Sequence, residues 1–329
     1  MLSALQSLMY VVIGNSILEI HGMMFYFWII LFSTSCFANL LGLFTSSVFT
    51  SVVAIYITVP LIIVPQILLS GVVVNYDKLN KFVSEKEYVP IVGDIMASRW
   101  AYEALLVTQF TNNEFQKYYF AIEKQESNTK FNLLFVLPEA KNAIRELQSN
   151  GDKNSIDYKN TIELLHNEVA MLKQTDNTNL LHGKQLFSND FKTLENKLDA
   201  INDILPEKLN KLSQKKDSIT RLLVSKFGNI NRYLEFKNKY YNNNLSDLVL
   251  KRKELESFLK SDQNIIRKME PIYQLPGSKY GRAHFLSSSK AIDGLTMSTL
   301  SFNLIAIWLM SIFLYVFLII FSKFINRLK

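Results

Sequence analysis

Hydrophobic residues are concentrated towards the two ends of the chain, and the longest uncharged run covers residues 22–76. These 55 residues include no Asp, Glu, Lys, Arg or His. A helix that crosses the ~30 Å hydrocarbon core of a bilayer needs about 20 apolar residues. The run is too long for one buried helix of a soluble core, because such cores rarely extend this far without a charge. We therefore predict two antiparallel membrane-spanning helices, over 24–43 and 49–74, joined by a turn within 42–51.

Two further apolar segments flank a long polar region. Residues 2–20 form a weaker segment, and residues 294–322 form one without any charge that is followed by three basic residues in the last seven positions. Basic flanks stay in the cytoplasm, so four spans would place residues 77–293 outside. The sequence predicts an all-α, multi-pass protein of the cytoplasmic (inner) membrane with four transmembrane helices. Its predicted parts are three spans in 1–76, a membrane-proximal segment in 77–120, an extracytoplasmic helical domain in 121–293, and the last span with a basic cytoplasmic tail in 294–329.

The polar region divides into an aromatic-rich part and a charged part. Residues 93–109 contain Trp100 and Tyr102, and such aromatic residues favour the headgroup level of a bilayer, so we predict a helix there that packs at the bilayer surface. Beyond it, apolar residues recur at helical spacing of three and four, which predicts coiled-coil-like seams in a bundle. The predicted seam residues are Tyr158, Ile162, Leu165, Val169 and Leu172; Leu194, Leu198, Ile201 and Leu205; and Leu248, Leu255 and Leu259. Pro206 should kink or end the second seam.

Charge and motif content exclude several classes of function. The net charge is +7, but residues 77–293 carry 33 basic and 28 acidic residues, a mixed surface rather than a nucleic-acid footprint. Cys36 is the single cysteine, so no disulfide forms within the chain. The sequence contains no phosphate loop, no HExxH pair and no G-x-S-x-G elbow. We therefore predict no catalytic residue, no metal site and no bound cofactor in this chain.

Two motifs carry a resemblance to a known family. The third predicted span ends in LLSGVVVN (68–75), and SRWAYEALLVTQF (98–110) follows it. In this order and topology, the pair resembles the permeases of type-2 ABC exporters, in particular the white/pigment-transporter (G) subfamily and bacterial ATPase–permease fusions with an enlarged external loop. The residues that match the first motif are Ser70, Gly71, Val74 and Asn75. Those that match the re-entrant motif are Arg99, Trp100, Tyr102, Ala104, Leu105 and Phe110.

The resemblance implies roles for four residues of the third span. Val72 and Val73 occupy the place of the leucine plug that closes the outer mouth in this family. Val64 and Ile67, a helical turn below, would face a substrate cavity between two protomers. The chain departs from the family in carrying valines at the plug and Pro60 and Pro65 in the span. The alternative interpretation makes all four residues ordinary packing or lipid-facing positions.

The resemblance also implies partners. The family has six spans and an ATPase domain, so the expected partners are an ABC ATPase that binds ATP and Mg²⁺, the remaining permease spans, a second permease in a dimer, and membrane lipids, but no nucleic acid. The four spans here would correspond to spans three to six, as in a carboxyl-terminal fragment or one half of a split gene. The implied function is the permease part of an ATP-driven exporter that moves an amphipathic or hydrophobic substrate outward. The alternative is a membrane-anchored helical scaffold or mechanotransmitter that recruits an envelope partner, which the size of the helical domain favours.

Overall fold

The fold consists mostly of helices. The computed structural model describes residues 1–49, 51–73, 76, 88–149, 155–175, 191–261, 263–277 and 281–328. In chain order the helices are α1 (Leu2–Ile17), α2 (Met24–Val48), α3 (Val52–Leu68), α4 (Ile91–Asp94), α5 (Ala97–Asn112), α6 (Gln116–Phe131), α7 (Leu137–Ser149), α8 (Ile156–Thr175), α9 (Phe191–Phe227), α10 (Ile230–Tyr240), α11 (Asn243–Val249) and α12 (Thr299–Leu328). A π-helical turn over Asn132–Val136 joins α6 to α7, and a 3₁₀ turn covers Pro271–Tyr273.

Two antiparallel hairpins correct the all-α prediction. Strand β1 (Phe258–Lys260) pairs with β2 (Ile265–Arg267), and β3 (Ser289–Ile292) pairs with β4 (Leu295–Ser298). The predicted helical seam of Leu248, Leu255 and Leu259 is also wrong. Leu255 is fully exposed outside any helix and Leu259 lies in β1, so these residues do not lie on one face of a helix.

Among the residues that the structure describes, two helices are long and apolar enough to cross a membrane, Met24–Val48 and Thr299–Lys323. Few residues of either are buried by the rest of the chain, which distinguishes them from core helices of a soluble protein. α1 and α3 are apolar but shorter, with 16 and 17 residues. Of the four predicted spans, the structure thus supports two by length and composition. The remaining spans and the side on which residues 77–293 lie stay predictions.

Hydrogen bonds between helices satisfy polar groups of the apolar segments. The Trp308 Nε1–H of α12 donates to the Ser33 Oγ of α2 at 3.1 Å, and the Trp28 Nε1–H of α2 donates to the Ala4 carbonyl of α1 at 3.1 Å. In a hydrocarbon environment an unpaired polar group costs several kcal/mol, roughly, so such bonds fix which helix faces meet.

The chain divides into two compact units. The first comprises Met1–Gln116, Asn238–Val249 and Leu275–Lys329, and the second comprises Lys117–Lys237 and Leu250–Gln274. The second unit does not coincide with the predicted helical domain, 121–293, because residues 238–249 and 275–293 group with the apolar helices of the first unit.

The second unit has a core formed by α7, α8 and α9. Two predicted seams are buried there, with the exception of Ile162, which is exposed. The buried seam residues are Tyr158, Leu165, Val169, Leu172, Leu194, Leu198, Ile201 and Leu205. α9 continues through Pro206 rather than ending there. Apolar side chains at helical spacing thus account for the packing of α8 and α9.

Polar contacts attach residues 250–274 to α6 within the second unit. The Arg267 guanidinium of β2 donates to Asn128 Oδ1 at 2.9 Å and to Glu270 Oε2 at 3.0 Å. Asn128 Nδ2 in turn donates to the Tyr273 carbonyl at 2.8 Å. The bond from Arg267 to Asn128 is charge-assisted, and it joins the hairpin β1–β2 to a helix more than a hundred residues earlier in the chain.

A carboxyl group is buried in the core of the second unit without a hydrogen bond. Glu168 of α8 is 0% exposed, and neither carboxyl oxygen has a hydrogen-bond partner among the described residues. The pKa of Glu168 is raised to about 8, mainly by burial. The neighbouring carboxylates Glu139 and Glu146 also raise this pKa, and the Lys260 ammonium lowers it. The folded protein therefore keeps this proton at a pH at which the unfolded chain loses it.

We expect Glu168→Gln to stabilise the protein at pH 8 and to have little effect at pH 5. Because the folded pKa lies above the unfolded value, the free energy of unfolding of the wild type falls as the pH rises from about 4.5 to about 8. The uncharged glutamine removes this slope. The change in stability between pH 5 and pH 8 is measured for each variant by thermal unfolding followed by circular dichroism. The control is Glu163→Gln, on the exposed face of α8. Equal slopes for wild type and Glu168→Gln would contradict the argument.

Candidate functional site

The predicted re-entrant motif lies on α5, between the two longest apolar helices of the first unit. α5 packs against α2, α3 and α12. Ala97, Ala101 and Ala104 are buried at spacings of four and three, and small residues on one face allow neighbouring helices to approach closely. The structure places the helix at 97–112 rather than 93–109, after the short helix α4. Its position at the bilayer surface stays a prediction.

The six motif residues differ in their surroundings. Arg99, Trp100, Ala104 and Phe110 are buried, Leu105 packs partly buried against the α2–α5–α12 core, and Tyr102 is half-buried. The Tyr102 ring stacks on Phe285 with ring centroids 6.3 Å apart. The motif is therefore largely an internal feature that holds α5 in place.

A buried cluster of charges holds α5, β3 and α12 together. The Lys290 Nζ of β3 donates to Glu103 Oε2 of α5 at 2.7 Å and to Asn303 Oδ1 of α12 at 2.8 Å. The Asn303 Nδ2 donates to the same Glu103 oxygen at 3.0 Å, and the Leu286 N–H donates to the other at 3.2 Å. Lys290, Glu103 and Asn303 are each 0% exposed, so the network is closed to water.

The buried pair carries its charges at neutral pH. Burial disfavours the ionised Glu103, but Arg99, Lys290 and Asn303 outweigh that effect and hold the pKa of the carboxyl below its usual range. Burial lowers the pKa of Lys290 to about 8, although the Glu103 carboxylate opposes the change. At pH 7 the ammonium and the carboxylate are therefore both charged.

This cluster could not be predicted as a whole from the sequence. Arg99 and Glu103, four residues apart in an otherwise mostly apolar helix, were a signal that one helix face carries a buried ion pair, and their side chains lie 3.5 Å apart. Lys290 and Asn303 gave no comparable signal, because a single Lys in a polar segment is normally exposed.

The Ser-Gly motif forms a turn at the end of α3. Gly71 has φ +85°, and a Cβ at this position would lie 2.5 Å from a ring carbon of Phe285, so any other residue would be strained and would have to displace that ring. The Ser70 Oγ accepts a hydrogen bond from the Val72 N–H at 3.2 Å. Val74 and Asn75, the other residues that match this motif, lie outside the described residues.

The predicted gate and cavity residues lie on exposed surface of the single chain. Val72 and Val73 follow the Gly71 turn and are 56% and 59% exposed, and Val64 and Ile67 on α3 are half-exposed. Successive helical residues are about 100° apart, so Val64 and Ile67 lie on the face of α3 opposite to Ile62. An interface with a second chain requires such exposure, but lipid contact requires it equally, and their roles stay predictions.

In the described part of the first unit, two neighbouring cavities lie beside Asp94. The larger, of about 510 Å³, lies between α2, α3 and α12 and is lined by Phe37, Leu41, Ile62, Gln66, Asp94, Ile95, Leu309, Met310, Phe313 and Leu314. The smaller, of about 210 Å³, is lined by Val89, Asp94, Arg99, Trp100, Gly281, Arg282, Ala283 and Phe302. Asp94 lines both. Val64 and Ile67 line neither, so these pockets differ from the cavity predicted between protomers.

The amino-terminal third of the chain, which contains the apolar helices α1 to α3, resembles a known transporter family. Residues 1–110 match the family model of the ABC-2 type transporter, and this match covers α1 to α4 and nearly all of α5. Neither the curated proteins nor the solved structures contain a significant match. The matched residues are about one third of the chain. The amino-terminal region of this chain is thus similar to the membrane domain of ABC-2 type transporters, which supports an ABC-2 permease.

Proposed function

We propose that the chain is the permease part of an ATP-driven ABC exporter that moves an amphipathic or hydrophobic substrate outward. The observation that carries this proposal is the match of residues 1–110 to the ABC-2 type transporter family. The packing of α5 against α2 and α12 supports it. α12 lies outside the matched residues, so this packing places a second long apolar helix against the matched region.

The proposal assigns ATP hydrolysis to a partner. A permease of this type works with an ABC ATPase that binds ATP and Mg²⁺, and the sequence of this chain has no phosphate loop. Two copies of the chain, with the remaining spans, would form the dimer, and the exposed faces of α3 that carry Val64 and Ile67 would meet across its axis. Substrate would pass between the protomers and leave past Val72 and Val73.

A second function is favoured by the second unit. Its 37-residue helix α9 buries one face and exposes a charged face, a form that suits a helical scaffold or a mechanotransmitter which acts on an envelope partner. In a scaffold the apolar helices serve as anchors. In a mechanotransmitter, ATP hydrolysis by a partner moves the second unit and no substrate passes the turn at Val72.

We expect the chain, purified from its native membrane in a mild detergent, to be in a complex with an ABC ATPase in equal numbers of copies. The complex should show vanadate-sensitive ATP hydrolysis, because the catalytic phosphate loop belongs to the partner. Mass spectrometry identifies the subunits, and the chain separated from the ATPase is the control, with hydrolysis at background. A stable complex with an envelope protein but without any ATPase would contradict the exporter and support the scaffold.

A further inference from the structure

The smaller cavity is lined by an arginine, Arg99, of which two nitrogens make no hydrogen bond to the described residues. Arg99 is 1% exposed, and its Nε and Nη1 have no hydrogen-bond partner within the described ranges of the chain. Nη1 lies 3.3 Å from Asp94 Oδ1, close enough for an ion pair but without the geometry of a hydrogen bond. Buried N–H groups without an acceptor are rare in folded proteins. Where such a guanidinium borders a cavity, the arrangement indicates a ligand with acceptor oxygens.

The charges around this cavity favour an anion. Arg99 and Arg282 both line it, and among the described residues that line it Asp94 is the one carboxylate, 3.9 Å from Arg282 Nε. Glu103 lies 3.5 Å from the Arg99 guanidinium and 2.7 Å from the Lys290 ammonium. The three cations Arg99, Arg282 and Lys290 therefore face the two carboxylates Asp94 and Glu103, which leaves one net positive charge around the cavity. Guanidinium groups match the planar, two-oxygen geometry of phosphate and carboxylate groups.

The larger cavity offers a place for a hydrocarbon chain. Its lining is apolar except for Gln66 and Asp94, and it lies against α2 and α12, the two helices long enough to cross a membrane. Its volume of about 510 Å³ is in the usual range for a small-molecule site. Asp94 lines both cavities, so the apolar groove and the arginine-lined cavity are neighbours on either side of this residue.

We propose that the two cavities together bind one anionic phospholipid, with its phosphate at Arg99 and Arg282 and an acyl chain in the groove beside Phe37 and Phe313. Basic pockets between membrane helices are known to select anionic headgroups. The occupant is a component of the surrounding bilayer rather than the transported substrate, so this proposal does not depend on the proposed transport activity. It requires that α2 and α12 lie in the membrane.

The test is lipid retention by the whole chain, purified in detergent and measured by native mass spectrometry. We expect one molecule of phosphatidylglycerol to be retained at concentrations at which phosphatidylcholine is not. Arg282→Gln should weaken phosphatidylglycerol binding about tenfold, the effect of losing one charge-assisted contact. The matched control is Arg145→Gln on the exposed surface of α7, which should leave retention unchanged. Equal retention of the two lipids by the wild type would overturn the proposal.

Two further arms separate a lipid from a free anion. Millimolar inorganic phosphate should displace less than half of the bound phosphatidylglycerol, because the groove also contributes to lipid binding. Ile62→Trp, which fills the groove without touching the arginines, should reduce phosphatidylglycerol retention while the melting temperature stays unchanged. Complete displacement by inorganic phosphate, or normal lipid retention by Ile62→Trp, would overturn the lipid assignment. Should Arg282→Gln fail to fold, the comparison of lipids and Ile62→Trp decide the result.

Discussion

Replacing Lys290 by Met should destabilise the first unit by about 3–5 kcal/mol, the cost of removing one partner from a buried ion pair. The substitution leaves the Glu103 carboxylate buried with Arg99 at 3.5 Å and Asn303 at 3.0 Å, but without the ammonium that makes its shortest contact. Chemical unfolding of the purified chain in detergent micelles, followed by tryptophan fluorescence, measures the loss. Trp100 is a suitable probe because the Lys290 Nζ lies 4.4 Å from its ring centroid.

A double variant shows whether the unpaired charge causes this loss. Lys290→Met combined with Glu103→Gln removes both charges of the pair and should recover most of the stability, because neutral groups cost less to bury than a lone carboxylate. Lys239→Met, at an exposed position of α10, is the control and should change the free energy of unfolding by less than about 0.5 kcal/mol. If Lys290→Met unfolds like the Lys239 control, the buried cluster does not hold α5, β3 and α12 together.

Replacing both Val72 and Val73 by Ala should impair the coupling of ATP hydrolysis to transport without preventing folding. In the proposed dimer the change trims four valine side chains at the outer mouth. Burying one valine is worth roughly 1.5–3 kcal/mol, and the remaining alanine keeps part of that. The closed state should therefore lose a few kcal/mol, roughly, which shifts an open–closed equilibrium by orders of magnitude. The measured quantity is ATP hydrolysis by the reconstituted complex, which we expect to become independent of substrate.

The matched control for the valine pair lies on the same helix. Val52 and Val53 at the amino end of α3 are also exposed, and their replacement by Ala should leave hydrolysis and transport unchanged. The gate assignment is wrong if both pairs have the same effect. An unchanged ATPase with normal movement of the second unit would instead favour the mechanotransmitter, in which nothing passes the turn at Val72.

Patterns confined to one element could be predicted from the sequence. The charge-free run places α2 and α3, and the repeated spacing around Leu194 and Leu198 predicts the buried face of α9, because helical geometry alone brings such residues together. The same spacing at Leu248 and Leu255 misled the prediction, since three and four residue intervals also occur by chance in irregular segments. Strands of three or four residues, such as β1, are too short to show alternation.

The candidate site depended on contacts that no local pattern contains. Glu103 and Lys290 are 187 residues apart in sequence, and their contact follows from the packing of α5, β3 and α12. The motif around Arg99 identified one helix of the site. Its resemblance to a family gave no information about Lys290, which lies in a distant hairpin. The lipid-binding proposal depends in the same way on Asp94, whose position between two cavities is set by tertiary structure.

The division of the second unit into two sequence segments has a practical consequence for engineering. Residues 117–237 and 250–274 belong to one folded body, joined through Arg267 and Asn128. A deletion or a swap with a related protein that takes only the longer segment would leave the β1–β2 hairpin with its buried arginine exposed to solvent. A chimaera has to exchange both segments together, with residues 238–249 left in place, if both recombined parts are to fold.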